Sequence, residues 1–126
     1  MHVEWSTYTE TFRRDISPET ALAFLDDLHR QRLACHPMVL FWRDDGLEFG
    51  IVVATETSLL TFQAGVDPPY FTSKGALDAP GLNVCFANVA TDYPPSSTIS
   101  WESARRAARE FFTTFSRPTS VDWEDL

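Results

Sequence analysis

Positive charge is scarce in this sequence. Ten Lys and Arg residues stand against 18 Asp and Glu, a formal net charge of −8. Nucleic acid and anionic membranes repel such a chain, so neither is an expected partner, whereas a basic protein is. Acidity of this size also serves solubility by itself. Glycine is scarce as well: the five residues are scattered, leaving no glycine-rich loop to cradle a phosphate. Only two cysteines occur, Cys35 and Cys85. They sit in apolar surroundings without a Cys-x-x-Cys pattern, which predicts reduced thiols in a reducing compartment. His2, His29 and His36 have no metal-ligand spacing with one another or with the cysteines, so neither a metal nor another cofactor is expected. No apolar run approaches membrane-spanning length, and Met1 to Arg14 lacks the apolar core of a signal peptide. A cytoplasmic protein is expected.

Converging catalytic groups are missing too. Cys35 and His36 are adjacent, but a nucleophile and its base normally meet across a fold rather than as sequence neighbours. The pair Asp44-Asp45 sits in a turn, where solvated Asp is ordinary. Asp26-Asp27 points away from an apolar helix stripe, and Ser96-Ser97 lacks the Gly-x-Ser-x-Gly elbow. No catalytic residue and no enzyme activity are expected.

What is present is a well-supplied core. At 126 residues, 44% hydrophobic and 13% aromatic, the chain can bury most of its apolar surface as a single domain, residues 1–126. From Ser100 to Trp123 the sequence reads as its central helix and exit. Trp101, Ala104, Ala108, Phe111, Phe112 and Phe115 fall on one stripe at ~100° per residue. Ser100 is the expected N-cap, Glu102 and Arg106 an expected ion pair, and Pro118 the expected stop. An earlier helix opens at Ser17-Pro18-Glu19 and buries Ala21, Phe24, Leu25 and Leu28. Arg32 falls on its stripe, so the helix either ends there or extends that side chain past the rim.

Elsewhere the period is two. Val3, Trp5 and Thr7 mark a short strand, and Pro37–Trp42 a central one that is apolar on both faces. Asp44-Asp45-Gly46 turns into a return strand carrying Leu47, Phe49, Ile51 and Val53. Ser58–Ala64, Val84–Ala90 and Thr119–Glu124 complete the set. The predicted fold class is α+β, an antiparallel sheet of about five to six strands packed against two helices.

Two longer connections, 65–83 and 91–99, each join an acid, an aromatic and a proline pair: Asp67-Pro68-Pro69-Tyr70-Phe71 and Asp92-Tyr93-Pro94-Pro95. Long, proline-stiffened loops in compact domains often carry function, because little entropy is lost when they dock. The same aromatics could equally cover an open sheet face. With Trp123, Glu124 and Asp125 of the tail, Asp67, Tyr70, Phe71, Asp92 and Tyr93 make up the candidate partner-binding set.

One family resemblance runs through roughly residues 37–124. A proline-containing lead-in, an Ala-rich helix ending in paired aromatics, then Arg117-Pro118, Val121 and Trp123, resembles the C-terminal half of a bacterial immunity family. It is the family numbered first among the immunity proteins of polymorphic toxin systems, common in actinobacteria. The turn Tyr70-Phe71-Thr72-Ser73-Lys74-Gly75 is similar to that family's Tyr/Phe-x-Ser-x-Gly pattern. Two positions depart from it: Phe115-Ser116 replaces Thr-Gly, and Ser100 stands where proline is common. The resemblance implies a protein that binds and neutralises a cognate toxin, a basic domain held 1:1. It also implies a toxin of the nucleic-acid deaminase type, occluded at its active site. The alternative from another class is a small-ligand-binding α+β domain with its cleft between sheet and loops. A third is an enzyme working through Cys35 or an acid pair.

Overall fold

A computed structural model describes residues 1–75, 81–86 and 89–126. In chain order the elements are β1 (His2–Ser6), β2 (Thr11–Asp15), α1 (Pro18–Arg30), β3 (Met38–Trp42), β4 (Glu48–Val52), β5 (Thr57–Ser58) and β6 (Leu60–Gln63). They continue with β7 (Tyr70–Ser73), β8 (Leu82–Phe86), β9 (Val89–Tyr93), β10 (Ile99–Ser100), α2 (Trp101–Thr114) and β11 (Trp123–Asp125). Seven strands form one sheet in the order β11-β7-β6-β4-β3-β1-β2, and all its pairs are antiparallel. β5 pairs with β10 and β8 with β9 in two small sheets.

The α+β class holds, with a sheet of seven strands where five to six are expected. The additions are β2 and β7. β2 is exposed throughout and so lacks the alternation that marks a half-buried strand. β7 lies in the stretch read as the first long loop, so Tyr70 and Phe71 are strand residues. Val84–Ala90, expected as one strand, instead contributes to the β8–β9 hairpin; its residues 87–88 lie outside the described residues. The final strand is shorter and later than Thr119–Glu124, pairing Trp123 with Ser73 and Asp125 with Phe71.

Both helices cover one face of the sheet. Val3, Val39, Phe41, Phe49, Ile51, Leu60 and Phe62 point into it and meet Leu25 and Leu28 of α1 and Phe111 and Phe112 of α2. Phe111 stacks on Phe49 with ring centroids 4.8 Å apart, and Phe112 meets Phe41 edge-on at 4.9 Å. Ser100 caps α2 as expected, its hydroxyl accepting from the Ser103 N–H at 3.1 Å. The helix stops at Thr114, before Pro118 is reached, because Phe115 turns left-handed (φ 52°) and donates its N–H to the Phe111 carbonyl. α1 ends at Arg30, and Arg32 takes a positive φ of 47° in the linker.

The expected Glu102–Arg106 pair is not among the ion pairs of the described residues. Arg105 instead reaches across to Asp26 on α1 with a two-pronged contact of 2.8 and 2.9 Å. That guanidinium holds the Asp26 carboxyl below its usual range and joins the two helices. Glu110 accepts from the backbone N–H groups of Thr119 and Ser120, ordering the path from α2 to β11.

On the opposite face the β8–β9 hairpin packs Leu82 and Val84 onto Met38, Val52, Ala54 and Leu59. It covers one end of that face.

Candidate functional site

Alternation along each strand sends every second residue to the face opposite the helices. Two rows of register partners cross that face, the second meeting the hairpin's apolar cluster at Leu40. The first runs Asp15, His2, Trp42, Glu48, Gln63 and Tyr70, from β2 to β7. The second runs Arg13, Glu4, Leu40, Gly50, Thr61 and Thr72, and Glu124 extends it onto β11. Trp42 stands near the middle, half-buried. The His2 ring lies 5.3 Å from it on one side, and the Arg13 guanidinium 4.8 Å from its centroid. His2 contacts Asp15 through Nδ1 (2.6 Å) and Asp44 through Nε2 (2.9 Å), and both carboxylates raise its pKa.

Glu48 is half-buried beside this cluster. Burial, and then the carboxylate of Glu4, pushes its pKa up. None of the ion pairs among the described residues includes Glu4, Glu48 or Glu124. Arg13, the register partner of Glu4, lies over Trp42 instead. The floor between Leu40 and Thr61 is Gly50, where an added Cβ would come within 2.3 Å of the Thr61 hydroxyl. The result is a two-row face of carboxylates around an aromatic, with a shallow centre.

The sequence-derived candidates divide. Tyr70 and Glu124 belong to this face. Tyr70 is half-buried, and its hydroxyl donates to the Val66 carbonyl. Asp67 is exposed in the connection from β6 to β7, and Asp125 is exposed on β11. Phe71 and Trp123 face the helices: Arg117 covers Phe71 at 4.4 Å, and the Trp123 indole donates to the Pro118 carbonyl at 2.7 Å. They are rim of the core rather than free anchors. Asp92 and Tyr93 belong to the separate hairpin, where Asp92 accepts from the Asn83 side chain and Tyr93 packs on the second apolar cluster. Sequence reasoning missed His2, Glu4, Arg13, Trp42 and Glu48. Glu48 was within reach: it falls between Leu47 and Phe49 in an alternating run, and therefore on the face away from the core.

A hollow of about 710 Å³ lies at the start of α2, lined by Lys74, Thr98, Ser100, Ser103, Asp122 and Trp123 among others. Its wall is polar and apolar in nearly equal parts, less apolar than is typical of small-molecule sites. No group of three or more metal-ligating side chains occurs among the described residues, and no helix there is long and apolar enough to cross a membrane.

The family model described as immunity protein Imm1 matches residues 17–125. The chain belongs to this immunity protein family. The match begins at Ser17, the residue that caps α1, and thus takes in the first helix as well as the part quoted from sequence. No curated protein matches the chain. The β1–β2 hairpin of this Imm1 member precedes the matched span, so four of the thirteen row residues, Asp15, His2, Arg13 and Glu4, lie outside the family match and the rest within it.

Both thiols are buried, and burial together with the neighbouring Cys85 thiol pushes Cys35 up to about 12. A thiol so held supplies no thiolate near neutral pH. Changing Cys35 and Cys85 together to Ala is expected to leave protection against the toxin intact and to cost about 1–2 kcal/mol of stability. Denaturant melts and a protection assay read both quantities. Lost protection by a stably folded double variant would bring back chemistry through Cys35.

Proposed function

We propose that this protein binds a cognate basic toxin domain 1:1 in the cytoplasm and silences it by covering its active site, the toxin being one that acts on nucleic acid, such as a deaminase. The observation that carries the reading is the family match over residues 17–125. The charge distribution supports the finer part. α1 and α2 together carry four arginines against five carboxylates, so nearly all of the net −8 lies on the strands and loops. A toxin that holds nucleic acid needs a basic groove, and carboxylates on a rigid sheet can occupy the places where phosphates would lie. Opposite charge then speeds and orients encounter while the bulk of the domain blocks access. Asp67, Tyr70, Glu124 and Asp125 contribute rim contacts in this picture.

The test is co-expression with the toxin domain encoded beside this chain. Growth is expected to be restored, the two proteins to elute as a 1:1 complex, and turnover of a nucleic-acid substrate to stop in proportion to added immunity protein. A chain that neither restores growth nor binds the domain removes the proposal. A complex whose toxin still turns over small nucleoside substrates at full rate removes active-site occlusion alone.

A further inference from the structure

We propose that the toxin docks on the open part of the sheet's hairpin side, placing a cluster of its Arg or Lys side chains against Glu4 and Glu48 beside Trp42, with Glu124 at the far rim. This inference rests on the immunity reading and names the surface that reading leaves open. The helices cover one face, and the β8–β9 hairpin covers one end of the other as far as Leu40 of the second row; among the described residues, the first row with Trp42 and Glu48 lies outside that contact. Among the described residues, Glu4, Glu48 and Glu124 form no ion pair. Glu48 and Glu4 sit near enough to repel each other, and Glu48 is partly desolvated before anything binds. Folding alone does not account for like charges placed so; a basic partner relieves the repulsion and completes the desolvation. Trp42 already contacts the His2 ring and the Arg13 guanidinium. An aromatic anchor that is ordered beforehand loses little entropy on binding and suits the centre of an interface.

The occupant is a basic protein rather than a second copy of this chain. A two-fold pairing through this face would set one acidic patch against another, adding like charge to like. Nucleic acid is repelled for the same reason. The N-terminal hairpin supplies His2, Glu4 and Arg13 and lies ahead of the family match, which begins at residue 17. Partner choice is therefore read partly by residues outside the shared family pattern, while β3 and β4 supply Trp42 and Glu48 from within it.

The experiment measures binding of the neighbouring-gene toxin domain by surface plasmon resonance at low and physiological salt. The double change Glu4→Lys/Glu48→Lys is expected to weaken binding at least 100-fold. Glu4→Gln/Glu48→Gln is expected to weaken it about tenfold, chiefly through slower association with a flatter salt dependence. Glu19→Lys/Glu102→Lys, on the helix side, is expected to stay within threefold. A wild-type readout guards against misfolded variants: in hydroxyl-radical labelling, Trp42 and Tyr70 lose labelling in the complex while the exposed Tyr8 and Phe12 keep it. Unchanged affinity in the reversed variant, unaltered labelling of Trp42, or a free chain that dimerises through this face overturns the docking surface while leaving the immunity reading in place. A wild-type chain with no affinity for the toxin domain overturns both.

Discussion

Replacing Phe111 by alanine is expected to remove roughly 3–5 kcal/mol of stability. The side chain is 1% exposed. It stacks on Phe49 at 4.8 Å and meets Phe62, Phe112 and Phe115 edge-on between 5.7 and 6.3 Å. Every one of those rings loses a contact, and a cavity between sheet and helix cannot close without moving α2. Domains of this kind are stable by only about 5–15 kcal/mol, so the loss consumes a large share of the total. Urea titration should show a lower midpoint at unchanged slope, because the surface exposed on unfolding is nearly the same. Thr113→Ala, at an exposed position where only a hydrogen bond to the Arg109 carbonyl is lost, should shift stability by no more than about 0.5 kcal/mol. A Phe111→Ala loss below about 1 kcal/mol would mean that α2 is not anchored through this ring.

A second large effect is expected at Gly75. A Cβ built there comes within 1.8 Å of the Thr98 carbonyl oxygen and 2.7 Å of its carbon. The obstacle is backbone, and that backbone is lashed in place. Gly75 donates its N–H to the Ser96 carbonyl at 2.7 Å, while the buried Ser73 hydroxyl donates to the Ser97 carbonyl at 2.6 Å and accepts from the Leu60 N–H at 3.0 Å. Gly75→Ala must therefore tear at least one of these contacts or shift two segments, at a cost of about 3 kcal/mol. Gly65→Ala makes the comparison, since its nearest neighbour would be 3.9 Å away; it should move the melting temperature little. Equal stability of the two variants would show that 96–98 can yield after all.

These bonds also give physical content to the Tyr-x-x-Ser-x-Gly stretch seen in the sequence. Serine is there to join β6 to the 96–98 segment, and glycine to let that segment pass. The sequence made other parts of the fold legible for equally local reasons. The stripe of α2 is unmistakable because six positions, Trp101, Ala104, Ala108, Phe111, Phe112 and Phe115, are aromatic or alanine at helical spacing, and Gly46 sits in its turn at φ 92° as a hairpin requires. β2 was hidden because Thr11, Phe12, Arg13, Arg14 and Asp15 are all exposed; edge strands carry charge to discourage further pairing, and so lose their periodic signal. β7 was hidden by the proline pair before it. The open sheet face was hidden for a related reason. Aromatics in long connections drew attention to Phe71, Tyr93 and Trp123, whereas the open face is a property of register across six strands, which no single stretch displays.

The order of the sheet has a consequence for how each molecule comes into being. Its last strand, β11, pairs with β7 about fifty residues earlier, and α2 closes the core only after four-fifths of the chain has been made. Until then Phe49, Ile51, Leu60 and Phe62 have only part of their cover. A nascent chain on the ribosome therefore carries an apolar sheet face and an unfinished edge, the features that invite association with other chains. For an immunity protein, the fold is therefore complete only once β11 has emerged and paired with β7, and a copy cut short before that strand exposes the features that invite association.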